Sequence, residues 1–255
     1  MTVPPFLPDT PDTRADLADF QGAVNRADEL IGDVLALLRV RKLEERTLVA
    51  YVSDHGIPFP RAKCTLCDHG LESALLVRLP GTELSGGRAP RGQVSIMDLA
   101  PTLLELAGAP PASAMHGRSL LPVAEGADSG WYALFAKKTF HTAYDPMRGI
   151  RTRRWKHIRN FEAAAGVEIP IDVSGSPSYR VMAGRLEPRH HPPAELYDLE
   201  IDPDETVNLA GLAILADVEA DLHARVVTWM RETSDPLLAG PVPSPFYRDA
   251  IAGTN

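Results

Sequence analysis

Two adjoining patterns constrain the fold most strongly: a helical apolar stripe and, directly after it, an apolar run of strand length. Between residues 17 and 38 the apolar side chains recur at the spacing of one helix face, which predicts a long amphipathic helix. Asp12 or Thr13 is its predicted cap, and its end is predicted near Arg41. Residues 47–52 are apolar and rich in β-formers, which is typical of a strand buried on both faces in a parallel sheet. Helix, turn and buried strand make half of a βαβ unit, so an α/β fold is predicted.

The rest of the chain changes character near Trp131. Before it, the pattern predicts a strand at residues 74–79 and a helix at 97–106 that Ser95 caps and Gly108 stops. After it, short β-like segments are predicted at 132–136, 149–152, 155–159 and 195–199, an irregular stretch at 170–193, and a last helix at 212–231. Strands followed by one helix indicate a small α+β subdomain. We therefore divide the chain into residues 1–130 and 131–255.

The end of the first strand carries candidate metal ligands. Asp54 and His55 follow the apolar run, and ligands bind at the carboxyl ends of strands in open α/β sheets. Carboxylate oxygen suits Ca²⁺, Mg²⁺ or Mn²⁺, whereas imidazole moves the preference towards a transition metal. The same residues with Gly56 also fit a simple turn after a strand.

Charge and hydropathy limit the partners. Lys and Arg number 26 against 34 Asp and Glu, a net charge of −8, which argues against nucleic acid and anionic membranes. No apolar run approaches the ~20 residues of a bilayer-spanning helix. The first residues show neither the basic nor the apolar region of a signal peptide, so the cytoplasm is the default expectation while the compartment stays open. A homo-oligomer is also left open.

Two further patterns resemble metal-binding motifs, but neither is a strong signal for a metal site. Cys64 and Cys67 form a Cys-x-x-Cys pair near His69, which is compatible with zinc or redox chemistry, but a lone pair without a second pair is a weak signal. The acidic residues 198–205 lack the sixth-position glycine of an EF-hand, and Leu209 stands where its bidentate Glu belongs.

An ordered series of motifs resembles the sulfatase family of the alkaline-phosphatase-like superfamily. Its members are residues 53–56 (Ser-Asp-His-Gly), Lys63, 75–81, 98–104, 117–122, 195–199, 202–203 and 208–209. Each motif is weak alone, but their order along nearly the whole chain is specific. Within the family the likeness is closest to the sulfamidase, or heparan N-sulfatase, branch and its bacterial relatives. That finer likeness rests on residues 56–60, 140–141, 146–148, 151–152 and 232–236.

The resemblance implies a fold and a set of roles. It implies the C-terminal part of a mixed sheet with flanking helices, and then a small α+β subdomain with a four-stranded antiparallel sheet. Asp54 and His55 would bind one divalent ion, Ca²⁺ first and Mn²⁺ or Mg²⁺ as alternatives, which polarises a sulfate oxygen. Lys63 would contact sulfate oxygens, although the sulfamidase branch is expected to have Arg there. His141 and Arg148 would approach a sulfated saccharide or small-molecule sulfate, with a subdomain-interface role as the alternative for His141.

The family's nucleophile motif is not found in these 255 residues. That nucleophile is a formylglycine made from the first residue of C/S-x-P-x-R, and the nearest match, residues 176–180, has the wrong spacing. The family's N-terminal aspartate pair is not found either. We therefore expect formylglycine in an N-terminal part outside this sequence, no turnover by this chain alone, and poor solubility from an unpaired sheet edge.

Three hypotheses follow. The sequence is a piece of a complete sulfatase, or of a related phosphodiesterase or phosphonate hydrolase, or it is a truncated product that binds without catalysing. The motifs do not distinguish a sulfate ester from a sulfamate as substrate.

Overall fold

The computed structural model describes residues 2–87, 89, 92–110, 112–128, 130–141, 143–162, 168–186 and 191–242. Contacts group the chain into two compact units. The first contains Met1–Ala18, His55–Glu72 and Ala133–Asn255, and the second contains Asp19–Asp54 and Ser73–Tyr132. The division at residue 130 stays a prediction.

The first helix, α1, spans Pro11–Val40 and confirms the predicted amphipathic helix. Its cap differs from the prediction of Asp12 or Thr13, because the Thr10 hydroxyl accepts a hydrogen bond from the Thr13 backbone N–H at 3.2 Å. Proline suits the first helical position, where no N–H is needed, so the helix begins at Pro11, before both predicted caps. Among the described residues, no helix is both long and apolar enough to cross a membrane.

A two-stranded antiparallel sheet belongs to the second unit. β1 (Val49–Val52) pairs with β2 (Leu75–Arg78), with Val49 opposite Arg78. The short helix α2 (Asp68–Leu71) lies between the two strands in the sequence and belongs to the first unit. The expectation that residues 47–52 are buried on both faces is wrong for this structure, since Tyr51 is 39% exposed. With only one neighbouring strand in the described part of the chain, the faces of this short ladder stay accessible.

The helix predicted at residues 97–106 is confirmed. A 3₁₀ turn at Ile96–Asp98 leads into α3 (Leu99–Leu106), and Ser95 and Asp98 form a reciprocal capping box. The buried Asp98 carboxylate also accepts hydrogen bonds from the Arg118 backbone at 2.8 Å and the Trp131 indole at 3.0 Å. Gly108 ends the helix with φ +69°, and a short helix α4 spans Leu121–Ala124.

A four-stranded antiparallel sheet organises the first unit, as the resemblance implied. Its strands, in spatial order, are β3 (Ala133–Phe140), β4 (Tyr144–Thr152), β5 (Trp155–Asn160) and β6 (Ala194–Asp198). Successive side chains point to opposite faces, so Leu196 and Tyr197 enter different cores. Leu196 packs towards the last helix, α7 (Ala216–Glu232), and Tyr197 packs with Leu66.

The prediction that residues 170–193 are irregular is wrong for the described part of that stretch, which contains two helices. These are α5 (Ile171–Ser174) and α6 (Pro177–Leu186), which starts with proline in the favoured first turn. The start of α6 is held by Asp16, whose carboxylate accepts hydrogen bonds from the backbone and hydroxyl of Ser178. Proline and serine are typical of loops, so their presence at residues 176–178 predicts a loop where a helix begins.

Candidate functional site

The candidate metal pair follows β1 by one residue. The Asp54 side chain is exposed, and His55 is half-buried. His55 Nδ1 lies 2.7 Å from the carbonyl oxygen of Gly56. An imidazole that donates from Nδ1 to a carbonyl carries its lone pair on Nε2, which is the arrangement of metal-binding histidines. Asp54 and His55 thus offer a carboxylate oxygen and an imidazole nitrogen, two donor types that divalent ions accept.

Gly56 fixes the path of the chain after this pair. A Cβ atom there would lie 1.9 Å from the backbone oxygen of His69, a distance that no side chain tolerates. The Gly56 N–H also donates to the oxygen of Gly70 at 2.9 Å. The backbone after His55 therefore lies directly against the short helix α2 (Asp68–Leu71).

The loop between Gly56 and α2 presents Lys63. Lys63 Nζ forms an ion pair with Asp172 at 2.7 Å, and its side chain is only 16% exposed. That lysine holds the pKa of Asp172 below its ordinary value through a side-chain hydrogen bond. Leu66 anchors the same loop in the core on one face of the four-stranded sheet.

A buried charge network ties α2 to the sheet. Lys156 on β5 pairs with Asp68 at 2.5 Å and with Glu205 at 2.7 Å, and Arg151 on β4 pairs with Asp68 at 3.0 Å. Burial would raise the pKa of Asp68, but the two cations outweigh it and lower the pKa. Sequence reasoning missed this network, although a lysine within the β-like run 155–159 was a usable signal.

The predicted substrate-contacting residues lie in different surroundings. His141 is exposed, and its Nδ1 lies 3.4 Å from the Glu168 carboxylate. Lys63 and His141 therefore contact two different carboxylates, Asp172 and Glu168. The role of each as a substrate contact stays a prediction.

Arg148 is buried, with 1% of its surface exposed. Its guanidinium forms two hydrogen bonds to Asp235, at 2.6 and 3.0 Å, and others to Thr139 and the Lys138 backbone. Burial raises the pKa of Asp235, but the bonds from Arg148 outweigh that effect and lower it. None of the contacts that we observe for Arg148 in the described residues joins it to another predicted site residue.

The other patterns take structural positions. The His191 side chain is 12% exposed and lies 3.3 Å from Asp145 and 3.7 Å from Glu195. Burial lowers its pKa, but the hydrogen bonds to these carboxylates win and raise the pKa to about 9. Burial raises the pKa of both Cys64 and Cys67, which remain thiols.

Family models match two overlapping parts of the chain. The model described as Sulfatase matches residues 4–109, and the model described as N-sulphoglucosamine sulphohydrolase, C-terminal, matches residues 61–180. Together they include all the predicted site residues.

Known relatives share this region. The N-sulphoglucosamine sulphohydrolase of Homo sapiens is 34% identical over 94% of this chain and 52% of its own length. An ulvan-active sulfatase of Formosa agariphila is 29% identical over 91% of this chain and 41% of its own length. A protein solved in complex with its substrate D-glucosamine-2-N,6-O-disulfate superposes with a TM-score of 0.61 at 21% identity, covering 86% of this chain and 40% of that one. This chain thus spans about half the length of the curated relatives that it matches.

Proposed function

Because the chain belongs to the sulfatase family, we propose that it forms the C-terminal part of a hydrolase that removes sulfuryl groups from sulfated sugars. The observation that carries this proposal is the 34% identity to a human N-sulphoglucosamine sulphohydrolase across 94% of the chain. The chemistry of the Asp54–His55 pair and of the Lys63 loop supports it.

A sulfated amino sugar is the substrate that we propose. The human relative is named for N-sulphoglucosamine, and the solved neighbour binds a glucosamine with N- and O-sulfate groups. Both ester and N-sulfate cleavage fit this class. The net charge of −8 does not oppose an anionic sugar, because a local cation determines what a pocket attracts.

Lys63 would bind the sulfate by exchanging one anion for another. In the structure the Asp172 carboxylate lies 2.7 Å from Lys63 Nζ, and the Asp172 side chain is 47% exposed. A substrate sulfate would displace this exposed carboxylate and take its place beside a largely buried ammonium. A fixed cation in a site that excludes water stabilises the charge that develops on sulfuryl oxygens.

Asp54 and His55 would hold the metal through a carboxylate oxygen and Nε2. A bound divalent ion, with Ca²⁺ as our first choice, supplies Lewis-acid polarisation of a sulfate oxygen. His141, being exposed, would contact the sugar or the leaving group. For Arg148 we propose a positioning role, since its guanidinium is bonded to Asp235.

The sequence holds no C/S-x-P-x-R motif, so we propose that this chain alone does not turn over substrate. Formylglycine would come from coding sequence outside these residues. The missing motif also supports the second candidate, a product that binds sulfated sugars without hydrolysing them. A phosphodiesterase or phosphonate hydrolase of the same superfamily is the third.

The test is hydrolysis by the longest in-frame product that contains this chain. We expect release of inorganic sulfate from an aryl sulfate or glucosamine N-sulfate, and faster turnover than of an aryl phosphodiester. Lys63→Ala should lower kcat/KM about 100-fold or more, in the range known for loss of one transition-state donor. Lys42→Ala, which removes an exposed lysine, is the matched control. Preferred phosphodiester cleavage, or binding without turnover, would identify one of the other candidates.

A further inference from the structure

Three side chains of types that can bind a metal ion lie together at the loop that carries Lys63. Ligand atoms of Cys64, His141 and Glu168 all lie within 4.8 Å of one another. They are the one such group of three or more His, Cys, Asp or Glu side chains in the described part of the chain. They come from three segments: the loop before α2, the turn between β3 and β4, and the segment before α5.

We propose that Cys64, His141 and Glu168 bind a transition-metal ion of the zinc type. His141 Nδ1 and a Glu168 carboxylate oxygen are 3.4 Å apart. Two ligands that each lie about 2.1 Å from a tetrahedral zinc ion are separated by roughly this distance. Sulfur with imidazole and carboxylate selects zinc-like ions, whereas Ca²⁺ takes oxygen ligands only. The site is therefore chemically distinct from the proposed Asp54–His55 pair and does not depend on it.

The carboxylate of this site is already oriented by its neighbours. The Glu168 side chain is 1% exposed, and its Oε1 accepts a hydrogen bond from the Ala143 N–H at 3.0 Å. Its Oε2 lies 2.8 Å from Lys138 Nζ, and Lys138 is paired in turn with Asp145 at 2.6 Å. The hydrogen bond from Ala143 and the ion pair with Lys138 fix the direction of this carboxylate, as outer partners of metal ligands do. Because Asp145 offsets the charge of Lys138, that lysine opposes a bound cation only weakly.

The thiol and the imidazole suit a site that fills from solvent. Burial, and next the Glu168 charge, raise the pKa of Cys64, so metal binding must displace the thiol proton. Half of the His141 side chain surface is exposed, which gives an ion access and leaves a fourth position for water. A zinc ion at this site would be bound by the His141 imidazole, so zinc binding is expected to prevent His141 from contacting substrate.

Cobalt titration of the 255-residue chain tests this site directly, because Co²⁺ reports thiolate ligation by absorption. We expect visible bands of tetrahedral Co²⁺ and a thiolate charge-transfer band in the near ultraviolet. Cys64→Ser should abolish the charge-transfer band, and His141→Ala should weaken binding at least tenfold. Cys67→Ser is the matched control and should retain the band. Asp54→Asn should retain it too, which separates this site from the proposed function.

Zinc binding should also raise the melting temperature of the wild-type chain and of Cys67→Ser, but not of Cys64→Ser. Circular dichroism establishes that each variant is folded. The proposal is overturned if the charge-transfer band persists in Cys64→Ser, or if folded wild-type chain shows no band at millimolar Co²⁺.

Discussion

At the scale of single residues, buried charges join motifs that are far apart in the sequence. Arg148 and Asp235 lie in two separate segments of the resemblance, and the structure pairs them with side chains 1% and 0% exposed. The Lys156–Glu205 pair is equally buried. Removing one member of such a pair leaves an uncompensated charge, and this cost is larger than the net contribution of the intact pair.

Replacement of Asp235 by Asn tests the positioning role of Arg148. We expect Asp235→Asn to lower the free energy of unfolding by about 3–5 kcal/mol, because the Arg148 guanidinium loses its charged partner. Glu29→Gln is the control, since it breaks the exposed Arg26–Glu29 pair and should cost less than ~1 kcal/mol. Urea denaturation measures both. Equal stability of Asp235→Asn and wild type would show that Arg148 is not held structurally and would favour its role as a substrate contact.

At the scale of secondary structure, the elements with long periodic patterns were predictable. α1, α7 and five of the six strands of the structure were located from hydrophobic spacing within a few residues, and β4 was recognised only from residue 149 onwards. Its earlier half contains Pro146, and proline in a run argues against a strand. The lysine in β5 indicates that a charged partner is needed, but local sequence carries no information about which distant charge pairs with it, so the partners of Lys156 were not predictable.

Gly56 determines the path of the backbone between β1 and α2, because it lies against the backbone of His69. Gly56→Ala places a methyl group 1.9 Å from a backbone oxygen, which cannot move as a flexible side chain would. We expect a loss of about 1–3 kcal/mol in unfolding free energy, together with weaker divalent-ion binding at the proposed Asp54–His55 pair. Isothermal titration with Ca²⁺ and Mn²⁺ measures the second effect.

The control for this substitution is Gly22→Ala on α1. No atom lies within 4 Å of a Cβ there, and alanine is the better helix former, so stability should rise by up to ~1 kcal/mol. If Gly56→Ala behaved like Gly22→Ala, the close approach to α2 would not exist in solution.

At the scale of the whole molecule, apolar surface is distributed unevenly. The first unit buries a core between α7 and the four-stranded sheet. In the second unit, α1 leaves Val34 56% and Leu37 54% exposed, and β2 leaves Leu76 62% exposed. The exposure of the apolar residues of α1 was not predictable from sequence. Their periodic spacing predicts burial, but it does not identify which surface would cover them.

The exposed apolar side chains of α1, among them Val34 and Leu37, should make the isolated chain self-associate and bind hydrophobic dyes. Surfaces of this kind are the usual cause of both behaviours, because covering them removes apolar area from water. The double variant Val34→Lys, Leu37→Glu should reduce dye fluorescence and shift light scattering towards the monomer. Since both side chains already face water, the unfolding free energy should change by less than ~0.5 kcal/mol. A large loss of stability would mean that these residues are buried in solution. Unchanged scattering at equal stability would assign the association to another surface, of which the β2 edge is the first to test.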